Sequence, residues 1–273
     1  MPRAGKRRRG RPHIGLALAG GGPVGAVYEI GALRALDEAL EGVDFGTLDM
    51  YVGVSAGSLI ASLLVNGFTP AHLVRILAEA ERDDPLLPGV FFTPAYREWL
   101  WRAARVPWLL AEAAWSLYQR RNVFRAATRL APALPAALFD NEPIRRSLAA
   151  AFARKGRTDD FRKLDRRLIV VATDLAAGVP IRFGEPGMDH VPISRAVQAS
   201  TALPGLYPPV SINGRHCVDG VLLKTVHASV AFEAGMDLVF CVNPIVPVDT
   251  SAGVNAGALP PGSLFKGGLP TLL

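Results

Sequence analysis

The sequence predicts an α/β fold, a three-layer α/β/α sandwich with a mainly parallel sheet and a helical cap insertion. Residues 14–19 form a short apolar run that ends in three glycines, and apolar residues at helical spacing follow. Residues 50–54 begin the same pattern again, which predicts parallel strands covered by helices. Half of the 273 residues are hydrophobic and 20% are charged, which excludes disordered and collagen-like chains.

The other elements follow from the same periodicities. After the first helix, which carries Val27 and Leu40, a second buried helix is predicted over residues 58–65. Apolar runs predict strands at residues 167–173, 180–183, 210–212, 215–218 and 238–242. Helical spacing predicts further helices over residues 72–82, 143–155, 194–200 and 229–234.

Two apolar segments resemble membrane signals without meeting their requirements. Residues 1–19 begin with bases and continue with an apolar run, but that run is too short for a signal peptide. Residues 50–74 contain no charge and are long enough for a membrane span. Their glycines, serines, Asn66 and Pro70 favour a buried strand, a tight turn and a buried helix instead.

The net charge of +6 comes from the N-terminus, because six of the 30 basic residues lie within the first eleven positions. We expect residues 1–13 to be a disordered basic tail, with weak anchoring to anionic lipid as the alternative, and we expect no nucleic-acid partner. The two cysteines, Cys217 and Cys241, are too few for a disulfide framework and indicate a reducing compartment. The expected localisation is cytoplasmic or peripheral to a membrane.

Residues 85–140 differ from the rest of the chain, because they hold all four tryptophans and a surplus of arginine. Trp101, Trp108 and Trp115 are seven residues apart and would share one face of a helix, which Pro107 is expected to break in two. This composition suits a helical cap that touches a lipid surface, or an insertion that packs its own aromatics. Residues 248–273, rich in glycine and proline, are predicted to be a linker, and whether a C-terminal element follows them stays open.

A candidate nucleophile lies in the second strand-to-helix turn, where Gly53, Ser55 and Gly57 form a G-x-S-x-G pattern. The glycines are needed because the serine occupies a sharp turn with no room for neighbouring side chains. Such a turn exposes the serine hydroxyl at a helix N-terminus, where developing negative charge is stabilised. The alternative is a serine that only caps a buried helix.

The first glycine turn allows two interpretations. Gly20, Gly21, Gly22 and Gly25 satisfy G-x-G-x-x-G, a dinucleotide-binding pattern, but Asp44, at the right distance, follows a segment with helical spacing instead of a strand. The turn can instead supply an oxyanion hole, in which backbone amides hold the negative oxygen of an acyl intermediate.

The serine needs a base. Asp219 followed by His227 would complete a Ser-Asp-His triad in the chain order of α/β hydrolases, although those enzymes place their nucleophile later in the chain. The alternative is a dyad in which Asp219 itself takes the proton of Ser55. Asp174 and Arg195 are expected to have structural roles, and no metal site or cofactor is predicted.

The three motifs together resemble the patatin-like phospholipases: the glycine loop at residues 20–25, Ser55 within its glycines, and Asp219-Gly220. Similar supporting segments are residues 172–175, 199–204 and 242–244, so the resemblance extends over residues 14–247. It implies an acyl hydrolase domain with Ser55 as nucleophile, Asp219 as base, and an oxyanion hole formed by the loop. The candidate oxyanion residues are Gly20, Gly21, Gly22, Val24 and Gly25, and the supporting glycines are Gly53, Gly57 and Gly220.

The resemblance implies a serine acyl hydrolase acting on lipid esters, of phospholipase A or lysophospholipase type, with phospholipid as substrate and a membrane surface contacted through residues 85–140. Two alternatives stay open, a non-catalytic membrane-binding protein of the same fold and an acyltransferase. The sequence departs from the family at Val24, where an arginine or lysine is usual, and at Val221, where a small residue is common. Neither change removes the backbone amides or the dyad.

Overall fold

The structure, a computed structural model, describes residues 11–79, 88–118 and 137–245. The predicted C-terminal linker and most of the predicted basic tail lie outside these ranges. The strands are β1 (Ile14–Leu18), β2 (Met50–Val54), β3 (Arg167–Asp174), β4 (Pro180–Phe183), β5 (Val210–Ile212), β6 (Arg215–Asp219) and β7 (Leu238–Val242). The α-helices in the described ranges are α1 (Gly22–Ala39), α2 (Ala56–Val65), α3 (Pro70–Glu79), α4 (Tyr96–Tyr118), α5 (Glu142–Phe152), α6 (Ile193–Ser200) and α7 (Ala228–Glu233).

The strands form one seven-stranded sheet in the order β5-β6-β3-β2-β1-β7, with β4 paired to β3. The pairings of β7 with β1, of β1 with β2 and of β2 with β3 are parallel, as predicted. The pairings of β4, β5 and β6 are antiparallel, so the parallel part of the sheet is the half that carries the two strand-to-helix turns. Every residue of β2 is buried, which explains its uninterrupted apolar sequence.

Strand β3 brings the ends of β2 and β6 together. Its residues 167–171 pair with β2, and its residues 172–174 pair with β6. Because β4 pairs with residues 170–173 and overlaps both, β2 and β6 must share the other edge of β3. The last residue of β2, Val54, lies opposite Val171, and the last residue of β6, Asp219, lies opposite Ala172. The two strands therefore meet at their C-terminal ends.

The two faces of the sheet are covered unequally. On one face, Met50, Val52, Ile169 and Val171 pack against two buried residues of α7. On the other, alternate residues such as Tyr51 and Val170 belong to a larger core to which α1, α2, α3, α5 and α6 contribute. This arrangement is the three-layer α/β/α sandwich that the sequence predicts.

The predicted break at Pro107 is wrong, because α4 is one continuous helix with this proline inside it. Pro107 cannot donate to the carbonyl of Ala103, but both residues are exposed, so water can reach that carbonyl.

Helix α5 also ends three residues earlier than predicted, because the chain turns through Gly156, whose φ is +82°. Helix α3 begins at Pro70, two residues earlier than predicted, because proline suits the first turn of a helix.

The cap segment is attached to the loop that follows α6. The side chain of Trp99 donates to the carbonyl of Ala137 (3.0 Å), and the Tyr207 hydroxyl donates to the carbonyl of Phe91 (2.6 Å). The amide of Phe139 donates to the carbonyl of Leu206 (2.8 Å). The boundaries 85–140 stay a prediction, since residues 119–136 lie outside the described part of the chain.

Candidate active site

Ser55 occupies the sharp turn between β2 and α2 with a φ of +52°, a left-handed conformation that side chains rarely adopt. Its two flanking glycines are needed for close approach. A Cβ on Gly53 would lie 2.5 Å from the carbonyl oxygen of Gly57, and a Cβ on Gly57 would lie 2.5 Å from the carbonyl oxygen of Ala19. The turn therefore has the strained strand-to-helix geometry that the G-x-S-x-G pattern predicts.

The Ser55 hydroxyl donates a hydrogen bond to Oδ2 of Asp219 over 2.6 Å. Oδ1 of Asp219 accepts a hydrogen bond from the amide of Val221 (2.9 Å). The backbone amide of Asp219 donates to the carbonyl of Ala202 (3.0 Å). A Cβ on Gly220 would lie 2.5 Å from the carbonyl oxygen of Val171, so only glycine fits after Asp219. The carboxylate is thus fixed at both oxygens and at the backbone.

Asp219 is 2% exposed, and Ser55 is 7% exposed. Burial raises the pKa of Asp219 to about 6, while the hydrogen bonds from Ser55 and Val221 act in the opposite direction. Both hydrogen-bond partners are neutral, and no cation among the described residues offsets the loss of water around the carboxylate. A carboxylate with this pKa is a stronger base than ordinary aspartate and is still ionised near neutral pH.

Ser200, the last residue of α6, holds the backbone of the serine turn. The amide of Ser55 donates to Oγ of Ser200 (2.8 Å), and that hydroxyl donates to the carbonyl of Val171 (2.6 Å). Sequence reasoning placed Ser200 in a supporting segment and gave it no role. No local sequence pattern could have assigned Ser200 this role, because it lies 145 positions from Ser55 in the chain.

The glycine loop follows β1 and passes directly beside the serine, since a Cβ on Gly20 would lie 3.1 Å from Cβ of Ser55. Two of the amides predicted for the oxyanion hole already have acceptors: Gly20 donates to Thr225 (3.1 Å) and Gly25 to Gly21 (2.9 Å). The described residues provide no acceptor for the amides of Gly22 and Val24, in the first turn of α1, or of Gly21 before it.

The alternatives to this site lack the geometry they need. Among the described residues, no hydrogen bond joins His227 to Ser55 or Asp219, and burial lowers the pKa of His227. A triad through His227 is therefore not assembled. For the dinucleotide interpretation, the segment before Asp44 is the end of α1 and a turn instead of a strand, and Asp44 accepts from the amide of Gly46 (2.8 Å).

Asp174 and Arg195 have structural contacts, in line with their predicted roles. Oδ1 of Asp174 accepts from the amides of Ala176 and Ala177, which closes the turn after β3. Arg195 donates to the side chain of Gln198 (2.5 Å) and to the carbonyl of Ser211 (3.2 Å). Both side chains are thus committed to the packing of neighbouring segments.

Comparison with known proteins gives a match to a family described as patatin-like phospholipase over residues 16–232. VipD from Legionella pneumophila is 20% identical, with a TM-score of 0.48, and the match covers 96% of this chain and 55% of VipD. A chain in the complex of full-length ExoU with SpcU from Pseudomonas aeruginosa is 19% identical, with a TM-score of 0.33 and coverage of 70% and 38%. The chain spans about half the length of VipD and less of the second structure.

Proposed function

Because the chain belongs to the patatin-like phospholipase family, we propose that it is a serine acyl hydrolase of phospholipase A or lysophospholipase type, with Ser55 and Asp219 as its catalytic dyad. The observation that carries this proposal is the 2.6 Å hydrogen bond from Ser55 Oγ to a buried carboxylate. The family supports the proposed substrate class, and the contacts of the two residues support their proposed roles.

In the proposed reaction, Asp219 Oδ2 takes the hydroxyl proton of Ser55 while Oγ attacks the acyl carbonyl of the ester. The carbonyl oxygen becomes an oxyanion, held by the amides of Gly21, Gly22 and Val24. The tetrahedral intermediate collapses, the C–O bond to the leaving alcohol breaks, and Asp219 returns the proton to that alcohol. Asp219 then takes a proton from water, which attacks the acyl-serine. The acyl C–O bond to Ser55 breaks, Asp219 returns the proton to Oγ of Ser55, and the fatty acid leaves.

The positive end of helix α1 supports this assignment of the oxyanion hole. Gly22 has a φ of +60°, which glycine tolerates, and a Cβ there would meet no atom within 4 Å, so this side of the turn is open. Unpaired amides at the start of a helix stabilise negative charge without any rearrangement during the reaction. The side chain of Val24 takes no part in this stabilisation, which is why a residue other than arginine or lysine is compatible with activity.

We further propose that the exposed tryptophans of α4 bring the enzyme to a lipid surface. Trp101, Trp108 and Trp115 are all exposed and seven residues apart on one continuous helix. The guanidinium of Arg105 lies 4.5 Å from the ring centre of Trp101. Tryptophan with neighbouring cations is typical of helices that lie in the headgroup region of a membrane. The described residues contain no helix of the length and apolarity needed to cross a bilayer.

The test measures fatty-acid release from a soluble short-chain nitrophenyl ester and from phospholipid vesicles. Ser55→Ala and Asp219→Asn are each expected to lower kcat/KM by about a thousandfold or more on both substrates. Ser62→Ala is the matched control, because Ser62 is a buried serine of α2 whose hydroxyl donates to the carbonyl of Leu59 (2.7 Å), away from the proposed dyad. It is expected to retain activity.

Other outcomes would favour the alternatives. A folded wild-type protein that releases no product from either substrate would support the non-catalytic membrane-binding protein. Acyl products on an added alcohol or lysolipid, formed in preference to free fatty acid, would support an acyltransferase. Full activity in Asp219→Asn would reject the dyad.

A further inference from the structure

Helix α1 presents an apolar stripe to solvent directly after the glycine loop. Val24, Val27 and Tyr28 follow the i, i+3, i+4 spacing of one helix face, and each exposes 54–59% of its surface. Gly31 continues the same face and is also exposed. An amphipathic helix on the surface of a globular protein normally turns polar residues outward, so this face is reversed in character.

A second exposed apolar pair flanks the loop from the other side. Leu222 is 51% exposed and Leu223 is 40% exposed, in the turn that follows Asp219-Gly220. This turn is packed on the glycine loop, because a Cβ on Gly20 would lie 3.0 Å from Cγ2 of Val221, and the amide of Gly20 donates to Thr225. The two leucines and the α1 stripe therefore border the same loop, beside Ser55.

The two segments that border this loop carry a single charged side chain at the surface. In residues 20–28 there is no charged side chain, and in residues 220–229 the only side chain charged at neutral pH is Lys224, which is exposed and follows Leu223. His227 is buried, and Glu29, the next residue on α1, is fully buried. Within these two segments, the exposed side chains are therefore uncharged except for one cation, Lys224.

We propose that Val24, Val27, Tyr28, Leu222 and Leu223, the loop rim, dock on an anionic lipid surface, so that an acyl ester reaches Ser55 directly from the lipid. The entry of substrate rests on the function proposed above, whereas docking does not. An exposed apolar patch is unusual on a monomeric protein. The transfer of leucine, valine and tyrosine side chains from water to the acyl boundary of a bilayer is favourable in free energy. Lys224 is complementary to anionic headgroups and would strengthen docking on them.

The experiment measures vesicle flotation in the Ser55→Ala background, where lipid is not consumed. Leu222→Ser/Leu223→Ser and Val27→Ser/Tyr28→Ser are compared with Leu238→Ser, an exposed leucine at the start of β7 and so at the opposite end of the parallel strands. Vesicles contain phosphatidylcholine alone or with phosphatidylglycerol. The rim variants are expected to bind at least about tenfold more weakly, and Leu238→Ser to bind like its parent. Lys224→Gln should weaken binding only to the vesicles that contain phosphatidylglycerol.

The failure of docking and the failure of catalysis give different results. Docking through the loop rim would be rejected if the rim variants bound vesicles as tightly as their parent, or if the parent bound no vesicles. It would also be rejected if the exposed patch bound a second copy of the chain instead. Soluble-ester turnover by the protein with Ser55 intact tests catalysis separately. If the enzyme is active, the rim variants should lower the ratio of vesicle turnover to soluble-ester turnover. Loss of vesicle binding by the rim variants of an inert protein would support docking and reject hydrolysis.

Discussion

Ser55 and Asp219 are 164 positions apart in the chain, yet Oγ of one and Oδ2 of the other are 2.6 Å apart. Both residues lie at the C-terminal end of a strand, since Ser55 directly follows β2 and Asp219 is the last residue of β6. Those two strands meet along one edge of β3. The contact therefore follows from the register of the sheet, and the raised pKa of the carboxylate follows from its burial.

Activity should fall on acidification with the titration of Asp219. The dyad needs an ionised carboxylate, and the pKa of Asp219 is raised to about 6, so kcat/KM should decline with a slope of one proton below this pH. In Ser55→Ala the pKa should rise further, because the hydrogen bond that favours the ionised form is lost. A pH profile with a soluble ester checks the first expectation, and carbon-detected NMR of the carboxyl group checks the second. Full activity at pH 4.5 would contradict the assigned base.

The raised pKa of Asp219 also makes the stability of the protein depend on pH. Because the folded pKa of Asp219 lies above its ordinary value of 3.8, its contribution is most favourable below pH 3.8 and is lost as the pH rises through about 6. Asp219→Asn is therefore expected to raise the free energy of unfolding at pH 7.5 while abolishing activity. Urea titrations at pH 4 and 7.5 should show this gain only at the higher pH. An equal gain at both values would assign it to something other than ionisation.

Ser200→Ala should impair the serine turn without removing a reacting group. The Ser55 amide would lose its acceptor and the carbonyl of Val171 its donor, at a cost of about 1–3 kcal/mol in the free energy of unfolding. Displacement of the nucleophile should lower kcat by about tenfold to a hundredfold while KM changes little. Ser200→Thr keeps the hydroxyl and should restore part of kcat. A variant that is destabilised but keeps its full kcat would show that Ser200 supports folding alone.

Two helical glycines should respond oppositely to alanine. In Gly57→Ala the new methyl group would lie 2.5 Å from the carbonyl of Ala19, so we expect a loss of about 3 kcal/mol or more and an inactive protein. In Gly31→Ala the methyl group meets no atom within 4 Å, and a gain of about 0.5–1 kcal/mol is expected from helix propensity. Thermal melting of both variants distinguishes steric need from general intolerance. Similar losses at the two positions would contradict the close approach at Gly57.

Glu29 should limit stability near neutral pH. It is fully buried on α1, its two carboxyl oxygens accept no well-formed hydrogen bond from the described residues, and the nearby backbone of Ala19 only partly favours its ionised form. Burial raises its pKa from 4.5 to about 9. Of the elements that pack against α1, α2 and β7 contain no charged side chain, and the charged residues of α3, Arg75 and Glu79, are exposed and paired with each other. The folded protein therefore holds a proton that the unfolded chain releases above pH 4.5, so stability is lost as the pH rises towards 9.

Glu29→Gln removes this proton linkage. Its free energy of unfolding should match that of the wild type near pH 4.5 and exceed it by roughly 3 kcal/mol at pH 7. Glu38→Gln is the matched control, since Glu38 lies on the same helix and forms only an exposed ion pair with Arg34. It should change stability by no more than about 0.5 kcal/mol. A Gln variant that gains nothing at pH 7 would show that Glu29 has a partner at its carboxyl group.

Local patterns were sufficient to predict the strands, and the three motifs that they single out lie together in the structure. All seven strands lie where the sequence predicts them, to within one residue of their ends, because most of their residues are buried in the sheet and few are polar. Patterns failed where the outcome depends on distant surroundings. Pro107 is tolerated within α4 because the helix is exposed there, and Ser200 acts on Ser55 through tertiary contact. No periodicity carries either piece of information.

Because β2 and β6 meet along β3, we expect the geometry of Ser55 and Asp219 not to depend on the covalent connection between them. One peptide group of β3, between Val171 and Ala172, sets their spacing, and the segments that join the two strands only have to be long enough. A chain opened at an exposed turn such as Gly178, between β3 and β4, would leave this spacing to hydrogen bonding alone. The pair is thus compatible with circular permutation and with assembly from two complementary fragments.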